Sequence, residues 1–380
     1  MNNQAVKLVA FYLPQFHRIK ENDEWWGDGF TDWVNVKNAK PLFKGHRQPR
    51  VPSDELGYYD PTDIEILKKQ SALAKAHGIQ GFCFYHYWFN GKLLLEEPLE
   101  NFLGSREPEM PFCLCWANEP WTRAWDGRER DVLMPQSYGG REEWTKHFNY
   151  LLPAFKDQRA IKIDGKPVFL IYRADAITNI NDMLDCWQEL AREAGLPGLH
   201  IVMMLTAFTG PKELSQINAD AACEFYPTHA FRPKPLDLLW GGFRMGLHWR
   251  VIKRYTPLMA EKVIRVSYDY IWKRILRTPK YFPIQYRGVF TGWDNSPRKQ
   301  RKAVIMHEAT PDRFAHWLRC QLERVKKDKT QEPLVFVNAW NEWAEGAYLE
   351  PDKAFGRGFL EAVRQQVVKS HTETKRSEGS

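Results

Sequence analysis

Short apolar runs recur along the whole chain, and amphipathic stretches separate most of them. An apolar run of about four to eight residues is typical of a strand that is buried on both faces. The runs that predict strands cover residues 6–13, 81–89, 111–116, 166–172, 200–205, 221–226, 284–293 and 334–337. Apolar residues at three- and four-residue spacing predict helices over 63–77, 142–155, 180–194, 311–325 and 358–368. Eight strands alternating with helices favour an α/β fold of the (β/α)8 TIM barrel type.

Polar side chains gather where the predicted strands end. Gln15 and His17 follow the first run, Asn118 and Glu119 follow the third, and Asp294 follows the seventh. A (β/α)8 barrel carries its active site at this end of its strands. A doubly wound nucleotide-binding fold is the structural alternative, but no run is followed by G-x-G-x-x-G or G-x-x-x-x-G-K-[ST]. The sequence also lacks a D-x-D pair of the kind that binds a metal-bound sugar nucleotide.

The 380 residues, of which 43% are hydrophobic, suffice for one large barrel with insertions. We expect a single catalytic domain over residues 1–368 and a polar, disordered tail over 369–380. Two segments interrupt the regular alternation, namely a long tryptophan-rich loop over 23–61 and a basic helical insertion over 228–282. The insertion carries twelve Lys and Arg against three Asp and Glu, so the chain's net charge of +7 is concentrated there.

The cysteines and the start of the chain bear on the compartment. Six cysteines, at 83, 113, 115, 186, 223 and 320, form no C-x-x-C pair, and most lie inside apolar runs. Such thiols behave as small hydrophobic side chains, so we expect them to be reduced. The first residues have neither the basic lead of a signal peptide nor enough apolar length for a membrane span. We therefore expect a cytoplasmic protein.

Two carboxylates follow the last predicted strand. Residues 341–346 read Asn-Glu-Trp-Ala-Glu-Gly, which places Glu342 and Glu345 three positions apart. On a continuing strand they would point to opposite faces, whereas in a helix-like turn that bends at Gly346 both can face one cleft. Apolar walls and like charge raise the pKa of one carboxyl, which can then donate a proton while the other stays ionised. This chemistry suits a glycosidic bond; a strand end capped by surface acids is the alternative.

This motif, with Leu-Glu-Pro at 349–351, resembles the signature of glycoside hydrolase family 99, the endo-α-mannosidases and endomannanases. The segments FYLPQFH (11–17), GHRQP (45–49) and WANEP (116–120) and the Trp-rich run 24–33 are similar to the WbsX branch of that family. Members of this branch occur in bacterial surface-polysaccharide gene clusters and are often labelled glycosyltransferases. The resemblance covers about residues 6–365.

The resemblance implies roles for particular residues. It makes Glu345 the general acid/base and Glu342 the carboxylate that deprotonates the substrate's own 2-hydroxyl. That hydroxyl then attacks the anomeric carbon and gives an anhydrosugar, so no protein nucleophile is needed. Glu119 is the expected sugar-binding carboxylate, and Glu350 is expected to matter little. The remaining expected binding residues are Trp116, Asn118, Asn341, Trp343, Tyr87 and His86.

Three alternatives stay open, and the second of them comes from the label of the WbsX branch. Glu119 and Glu342 could instead form an ordinary retaining pair of acid/base and covalent nucleophile. The sugar could pass to an acceptor hydroxyl in O-antigen, lipopolysaccharide or capsule synthesis rather than to water. The chain could also be an inactive glycan-binding protein. The expected partner in every case is an oligosaccharide or polysaccharide and not a nucleic acid. We expect no cofactor and no metal, because His17, His46 and His86 lack ligand-like spacing.

The basic insertion suggests a second partner. Its large apolar residues alternate with basic ones, and Ile264, Tyr268, Ile271 and Ile275 repeat at helical spacing with Trp272 beside them. This pattern suits contact with anionic lipid, or with a lipid-linked, phosphate-bearing glycan, at the inner face of the membrane. The alternative is an insertion that packs on the barrel with its charges in solvent.

Overall fold

The computed structural model describes residues 6–123, 128–231, 263–328 and 332–378. Its centre is a closed barrel of parallel strands, in which the first strand pairs with both the second and the last. The barrel strands are β1 Lys7–Tyr12, β2 Gly81–Phe89, β3 Phe112–Trp116, β4 Lys166–Ile171, β5 His200–Leu205, β6 Ala221–Glu224, β7 Gln285–Phe290 and β8 Leu334–Asn338. Every predicted strand is present and in the predicted order, so the (β/α)8 barrel is confirmed.

The barrel strands are apolar along almost their whole length because both of their faces are covered. Alternate side chains of β1 point to opposite sides, so Val9 and Phe11 join the core inside the barrel, whereas Leu8 and Ala10 pack under the helices. Inside, Phe11 stacks on Tyr85 with 5.6 Å between the ring centroids. The barrel interior is therefore a filled core, and a ligand has room only beyond the strand ends.

Helices cover the outside of the barrel and cross its mouth. They are α1 Lys20–Trp26, α2 Asp32–Asn38, α3 Ile64–Ala76, α4 Glu97–Gly104, α5 Arg141–Lys156, α6 Ile180–Glu193, α7 Pro211–Leu214, α8 Tyr268–Leu276, α9 Ser296–Lys299, α10 Pro311–Lys327 and α11 Gly358–Glu378. The five predicted helices correspond to α3, α5, α6, α10 and α11. The backbone of α11 continues past the predicted end at 368 into the segment for which we expected disorder. Residues 369–378 contain no Gly or Pro to stop it.

The segment 23–61 is not the single long loop that the sequence suggested. It contains the end of α1 and the whole of α2. Trp33 and Val36 on one side of α2 are buried, and the Trp33 ring lies 5.8 Å from that of Trp343. The two apolar positions give this short helix a face that packs on the barrel mouth, which explains why it is ordered.

Most of the basic insertion, residues 232–262, lies outside the described residues. Its last part forms a strand, Ile264–Ser267, that pairs in parallel with Val304–His307, and then helix α8. Trp272 stacks on Phe290 of β7 at 5.3 Å. The predicted apolar stripe is buried in this helix through Tyr268, Ile271, Trp272 and Ile275. These side chains pack on the barrel and cannot contact lipid, whereas Ile264, the first residue of the predicted stripe, lies in the strand and is 40% exposed. Contact of the insertion with lipid stays a prediction.

Across the described residues, we find no helix whose length and apolar character suffice to cross a bilayer.

Candidate active site

A cleft of about 450 Å³ opens at the carboxyl ends of the barrel strands. Each of the eight strands contributes lining residues from its end or from the loop that follows it. The charged residues of the lining are Asp32, Glu119, Arg298, Glu342 and Glu345, and its aromatic residues are Trp26, Phe30, Tyr85, Tyr87, Trp121, Tyr172, Phe208, Phe225 and Trp293. Four predicted site residues, Glu342, Glu345, Glu119 and Tyr87, are among them. A TIM barrel places its active site at this end.

The turn after β8 brings two of these carboxylates together. Residues Trp343–Glu345 form one 3₁₀ turn between the strands of a short antiparallel ladder. The main-chain N–H of Glu345 donates to Oε1 of Glu342 at 3.2 Å. The turn ends at Gly346, whose φ of 62° lies in the left-handed region. A Cβ at this position would lie 2.8 Å from the guanidinium carbon of Arg50, so the bend requires glycine.

The guanidinium of Arg298 lies between the two carboxylates. Its Nη2 is 3.1 Å from Oε1 of Glu342, and its Nη1 is 3.3 Å from Oε1 of Glu345. Nη2 also forms an ion pair with Asp32. The arginine side chain is only 9% exposed, so these charges interact more strongly than they would in water. Sequence reasoning missed Arg298, which stands in a run of basic residues beyond β7 that is typical of a solvated surface.

Gln15 and Asp32 support the pair from the side of β1. Gln15 Nε2 donates to Oδ2 of Asp32 at 2.7 Å and to Oε2 of Glu342 at 3.3 Å. Asn35, on the same helix as Asp32, donates Nδ2–H to Oδ1 of Asp32 at 3.0 Å. Asp32 was also missed by sequence reasoning, since it belongs to α2 in the segment that was interpreted as a loop.

Asp294 fixes the backbone of the acid turn from beyond β7. Its N–H donates to the carbonyl of Glu345 at 2.6 Å. Its Oδ2 accepts from Gln48 Nε2 at 2.8 Å and lies 2.9 Å from Nε2 of His46. His46 is therefore a hydrogen-bonding partner of a buried carboxylate. In the described part of the chain, no three His, Cys, Asp or Glu side chains are grouped so as to hold a metal ion.

Burial dominates the ionisation of the carboxylate pair. It raises the pKa of Glu342 to about 8; Arg298 lowers this pKa, while the charges of Glu345 and Asp32 raise it. Burial also raises the pKa of Glu345, again against the effect of Arg298. The side chain of Glu342 is 6% exposed and that of Glu345 is 26% exposed. The two carboxyls together therefore bind a proton near neutral pH, and Glu345 is the one that faces the open cleft.

Glu119 lies on another part of the barrel mouth, after β3. Nη1 of Arg173 donates to its Oε1 at 2.7 Å. The same guanidinium donates from Nε and Nη2 to the two oxygens of Asp175, at 2.9 and 3.0 Å. The side chain of Glu119 is 39% exposed, so a carboxylate with a fixed orientation remains open to the cleft. Such a group can accept hydrogen bonds from sugar hydroxyls.

Two of the expected binding residues lie on the outer face of the barrel. Trp116 is buried and donates Nε1–H to the carbonyl of Trp88 at 3.1 Å. His86 is buried too, with its Nε2 2.8 Å from Nε2 of His147 on helix α5. Burial lowers the pKa of His86 to about 3 and the pKa of His147 well below its ordinary value, so both imidazoles of this pair are neutral. Trp116 and His86 are core residues under a helix, and we withdraw them as binding candidates.

The two expected asparagines hold the main chain behind the cleft. Asn118 donates Nδ2–H to the carbonyl of Arg173 at 2.9 Å and accepts from its N–H at 2.7 Å. Asn341 makes the same double contact with Leu13, accepting at 2.8 Å and donating at 2.9 Å. Both side chains are fully buried. They position neighbouring segments and do not line the cleft.

Trp343 and Glu350 form a buried polar cluster beneath the acid turn. Trp343 donates Nε1–H to Oε2 of Glu350 at 2.6 Å. Glu350 also accepts from Gln70 Nε2 at 2.6 Å and from the Tyr59 hydroxyl at 3.0 Å. Burial raises the pKa of Glu350 to about 7, while these donors lower it. Trp343 is thus a packing residue, and Glu350, whose substitution we expect to change activity little, is the acceptor of this buried cluster.

Comparison with known families gives the relatives of this chain. Residues 8–363 match the model of a family described as Glycosyltransferase WbsX. The chain belongs to the WbsX family. It is 37% identical, over 368 residues, to the uncharacterized protein WxcX of Xanthomonas campestris pv. campestris strain ATCC 33913, with 96% of this chain and 50% of WxcX covered. WxcX of strain B100 matches equally well. The chain therefore spans about half the length of the curated relatives it matches.

Solved structures with a fold similar to this WbsX protein include a glycoside hydrolase and a glycoside hydrolase-like protein. The GH99 endo-α-mannosidase of Bacteroides thetaiotaomicron, in complex with Bis-Tris-propane, has a TM-score of 0.57 and 13% identity, with 98% of each chain covered. A glycoside hydrolase-like protein has a TM-score of 0.58 and 13% identity, with 97% of this chain and 95% of that chain covered. The fold of the WbsX protein is therefore the family 99 type of TIM barrel.

Proposed function

We propose that this WbsX protein is a retaining, carbohydrate-active enzyme that breaks an α-glycosidic bond with Glu342 and Glu345 as its acid–base pair. The observation that carries the proposal is the turn after β8, which places both carboxyls around the Arg298 guanidinium in one cleft. The family 99 fold and the endo-α-mannosidase among the similar structures support an α-mannoside-like substrate. We propose a bacterial surface polysaccharide, or its lipid-linked precursor, as that substrate.

The proposed first step uses the substrate's own 2-hydroxyl. Glu342 removes the proton from this hydroxyl, and the oxygen attacks the anomeric carbon. The bond to the leaving oxygen breaks at the same time, and that oxygen takes the proton of Glu345. In the second step Glu345 deprotonates water, which attacks the anomeric carbon of the anhydrosugar, and Glu342 returns the proton to the ring-opened 2-oxygen. Each carboxyl ends in its starting protonation state, and the product keeps the starting configuration after two inversions.

The surroundings of the pair support this division of roles. Glu342 accepts hydrogen bonds from Arg298, Gln15 and the main chain of Glu345, and three donors favour the ionised form of a carboxyl. Glu345 has one contact to Arg298 and is the more exposed carboxyl. Burial raises the pKa of both carboxyls, so the pair shares a proton near neutral pH, and Glu345 is the carboxyl from which this proton can reach a leaving group.

The alternative pair of Glu119 and Glu342 has weaker support. Glu119 lines the same cleft, but its close partner is Arg173, which donates to its Oε1 at 2.7 Å and so occupies one of the carboxylate oxygens. By contrast, the Arg298 guanidinium contacts a carboxyl oxygen of both Glu342 and Glu345 and so bridges these two groups. Mass analysis of protein quenched during turnover distinguishes the two routes, because a sugar attached covalently to Glu342 would contradict the anhydrosugar route.

The charges of the cleft favour glycosidic donors over sugar nucleotides. Among the cleft residues that the structure describes, four are acids, and Arg298 is the single cation, already paired with three of the acids. A diphosphate beside these described residues would meet carboxylates and a guanidinium that is already paired. Transfer of the sugar to an acceptor hydroxyl needs only that the acceptor replace water in the second step. The family description as glycosyltransferase is thus compatible with the same acid–base pair acting as a transglycosylase.

The test is a product analysis with matched variants. Wild-type protein, Glu345→Gln and Glu342→Gln are each incubated with α-mannans and with a panel of bacterial surface polysaccharides, and the products are analysed by mass spectrometry. A parallel set of reactions contains nucleotide sugars with oligosaccharide acceptors. We expect shortened or transferred glycan chains with the wild type only, and no use of nucleotide sugars. Sugar transfer from a nucleotide donor, or binding without any turnover, would contradict the proposal.

A further inference from the structure

Phe208 is an exposed aromatic residue in an otherwise well-covered cleft. It lines the cleft, yet 63% of its surface is exposed, the largest exposed fraction among the described large hydrophobic residues. A large apolar side chain on a monomer surface is ordinary when it stands alone, but one that stays exposed while it lines a cleft indicates a ligand contact. The apolar core does not require this ring.

The ring of Phe208 is held in place by its loop. The N–H groups of Phe208 and Thr209 both donate to Oγ1 of Thr206 at 3.1 Å. The Thr209 hydroxyl then donates to Oδ1 of Asp175 at 2.6 Å. These bonds tie the loop after β5 to the loop after β4, so the ring is presented by a fixed backbone and little order is lost when it binds.

A cation supports one face of the same ring. The Arg173 guanidinium carbon lies 5.1 Å from the ring centroid of Phe208, within the range of a cation–π contact. Arg173 also binds Glu119, so the ring and that carboxylate stand next to each other on one wall. An aromatic face with a carboxylate beside it presents an apolar plane and a hydrogen-bond acceptor, which matches the C–H face and the hydroxyls of a sugar ring.

The position of Phe208 in the barrel separates it from the acid pair. It follows β5, whereas Glu342 and Glu345 follow β8, and Gln15 follows the adjacent β1. In a closed eight-stranded barrel, β5 stands opposite β1, and β4 stands opposite β8. A sugar on Phe208 is therefore across the barrel mouth from the sugar whose bond is broken.

We propose that Phe208, supported by Arg173, is the stacking platform of a distal subsite that binds a sugar unit away from the cleaved bond. The inference rests on the proposed function, because it takes the ligand to be a glycan chain. It also predicts that the enzyme binds chains and not single terminal sugars, since the two walls of the cleft hold different units. Arg173 itself is unsuitable as the test position because its loss would also release Glu119.

The experiment measures glycan binding in the Glu345→Gln background, which holds a substrate without turnover. Phe208→Ala and Phe208→Trp are added to it, with Tyr270→Ala as the matched control, because Tyr270 is 43% exposed and does not line the cleft. The probes are α-manno-oligosaccharides from disaccharide to hexasaccharide and length-graded fragments of bacterial surface polysaccharides on one array. Thermal melting of each variant checks that it is folded.

We expect Phe208→Ala to weaken binding of the longer members by roughly threefold to tenfold while the shortest bound member changes little, and Phe208→Trp to retain the affinity. Equal affinity of Phe208→Ala and its parent at every length would overturn the subsite and leave the proposed function standing. Absence of binding to every glycan by the parent would overturn the proposed function and this inference with it.

Discussion

Arg298 Nη2 lies 3.1 Å from Oε1 of Glu342, and this contact joins the loop after β7 to the turn after β8. The same guanidinium contacts Glu345 and Asp32, so one buried cation faces three carboxyl groups. Because the group is 9% exposed, its charge is poorly screened by water, and its removal leaves buried carboxyls without their cation. Arg298 therefore positions both proposed catalytic carboxyls and sets how readily they ionise.

Replacement of Arg298 should move the pH dependence of activity. The cation favours ionised carboxyls, so Arg298→Met raises the pKa of both Glu342 and Glu345. Both limbs of the bell-shaped profile of kcat/KM then move to higher pH, whereas Arg298→Lys, which keeps the charge, moves them less. The profile is measured on the polysaccharide that the product analysis identifies. If the pH profile of Arg298→Met stays where that of the wild type is, Arg298 does not set the ionisation of the two carboxyls.

The stability of the protein should depend on pH through Glu342. Its folded-state pKa of about 8 lies above the ordinary value of 4.5, so the folded state binds the proton more tightly. Its contribution to stability is complete below pH 4.5, and it is lost as the pH rises through 8. Glu342→Gln has no titrating group at this position and does not lose this stability. The unfolding free energy of Glu342→Gln minus that of wild type should therefore increase by up to about 1.4 kcal/mol per pH unit as the pH rises from 4.5 to 8. Urea unfolding from pH 5 to 9 measures it; a constant difference would contradict it.

Glu350→Gln should destabilise the fold, by about 1–3 kcal/mol. One of the two carboxylate oxygens becomes an NH2 group, which cannot accept from Trp343 and Tyr59 or from Gln70, so at least one buried donor loses its partner. The control is Glu323→Gln on the exposed side of α10, which should change stability by less than about 0.5 kcal/mol. Chemical unfolding compares the two, and equal stabilities would show that the cluster beneath the acid turn is unimportant.

Gly346→Ala should disturb the acid turn. The φ of 62° is unfavourable for alanine, and the new Cβ would meet the Arg50 guanidinium at 2.8 Å. We expect lower activity together with a stability loss of about 1 kcal/mol or more. Gly104→Ala is the matched control, because it has ordinary φ and nothing within 4 Å of its Cβ. Full activity in Gly346→Ala would mean that the bend does not position Glu345.

The barrel and the acid turn were predictable because they depend on local pattern. Apolar runs of strand length mark β1 to β8, and the turn residues 341–346 follow the last of them directly. Strand alternation could also have corrected two wrong candidates. Tyr87 lines the cleft, so its neighbour His86 must point to the other face of the strand. Ala117 also lines the cleft, so its neighbour Trp116 must point outward.

Arg298 and Asp32 were not predictable in the same way. Each stands in a local sequence that resembles solvated surface, a basic run for Arg298 and a polar stretch of a long connection for Asp32. Both residues are buried because their segments contact each other, although Asp32 and Arg298 are 266 positions apart in the chain. Pairing over that distance depends on closure of the barrel, which no short pattern reveals.

The most direct test of the central claim is the leaving-group dependence of Glu345→Gln. Turnover is measured on the natural polysaccharide and on an aryl glycoside of the same sugar, whose leaving group needs no proton. The account predicts that Glu345→Gln lowers the turnover rate on the polysaccharide by roughly 10²-fold or more, and lowers the rate of the first step on the aryl glycoside far less. Glu342→Gln should lower the rates on both substrates. Near-normal cleavage of the polysaccharide by Glu345→Gln, or an equal loss on both substrates, would contradict the assignment of Glu345 as the acid.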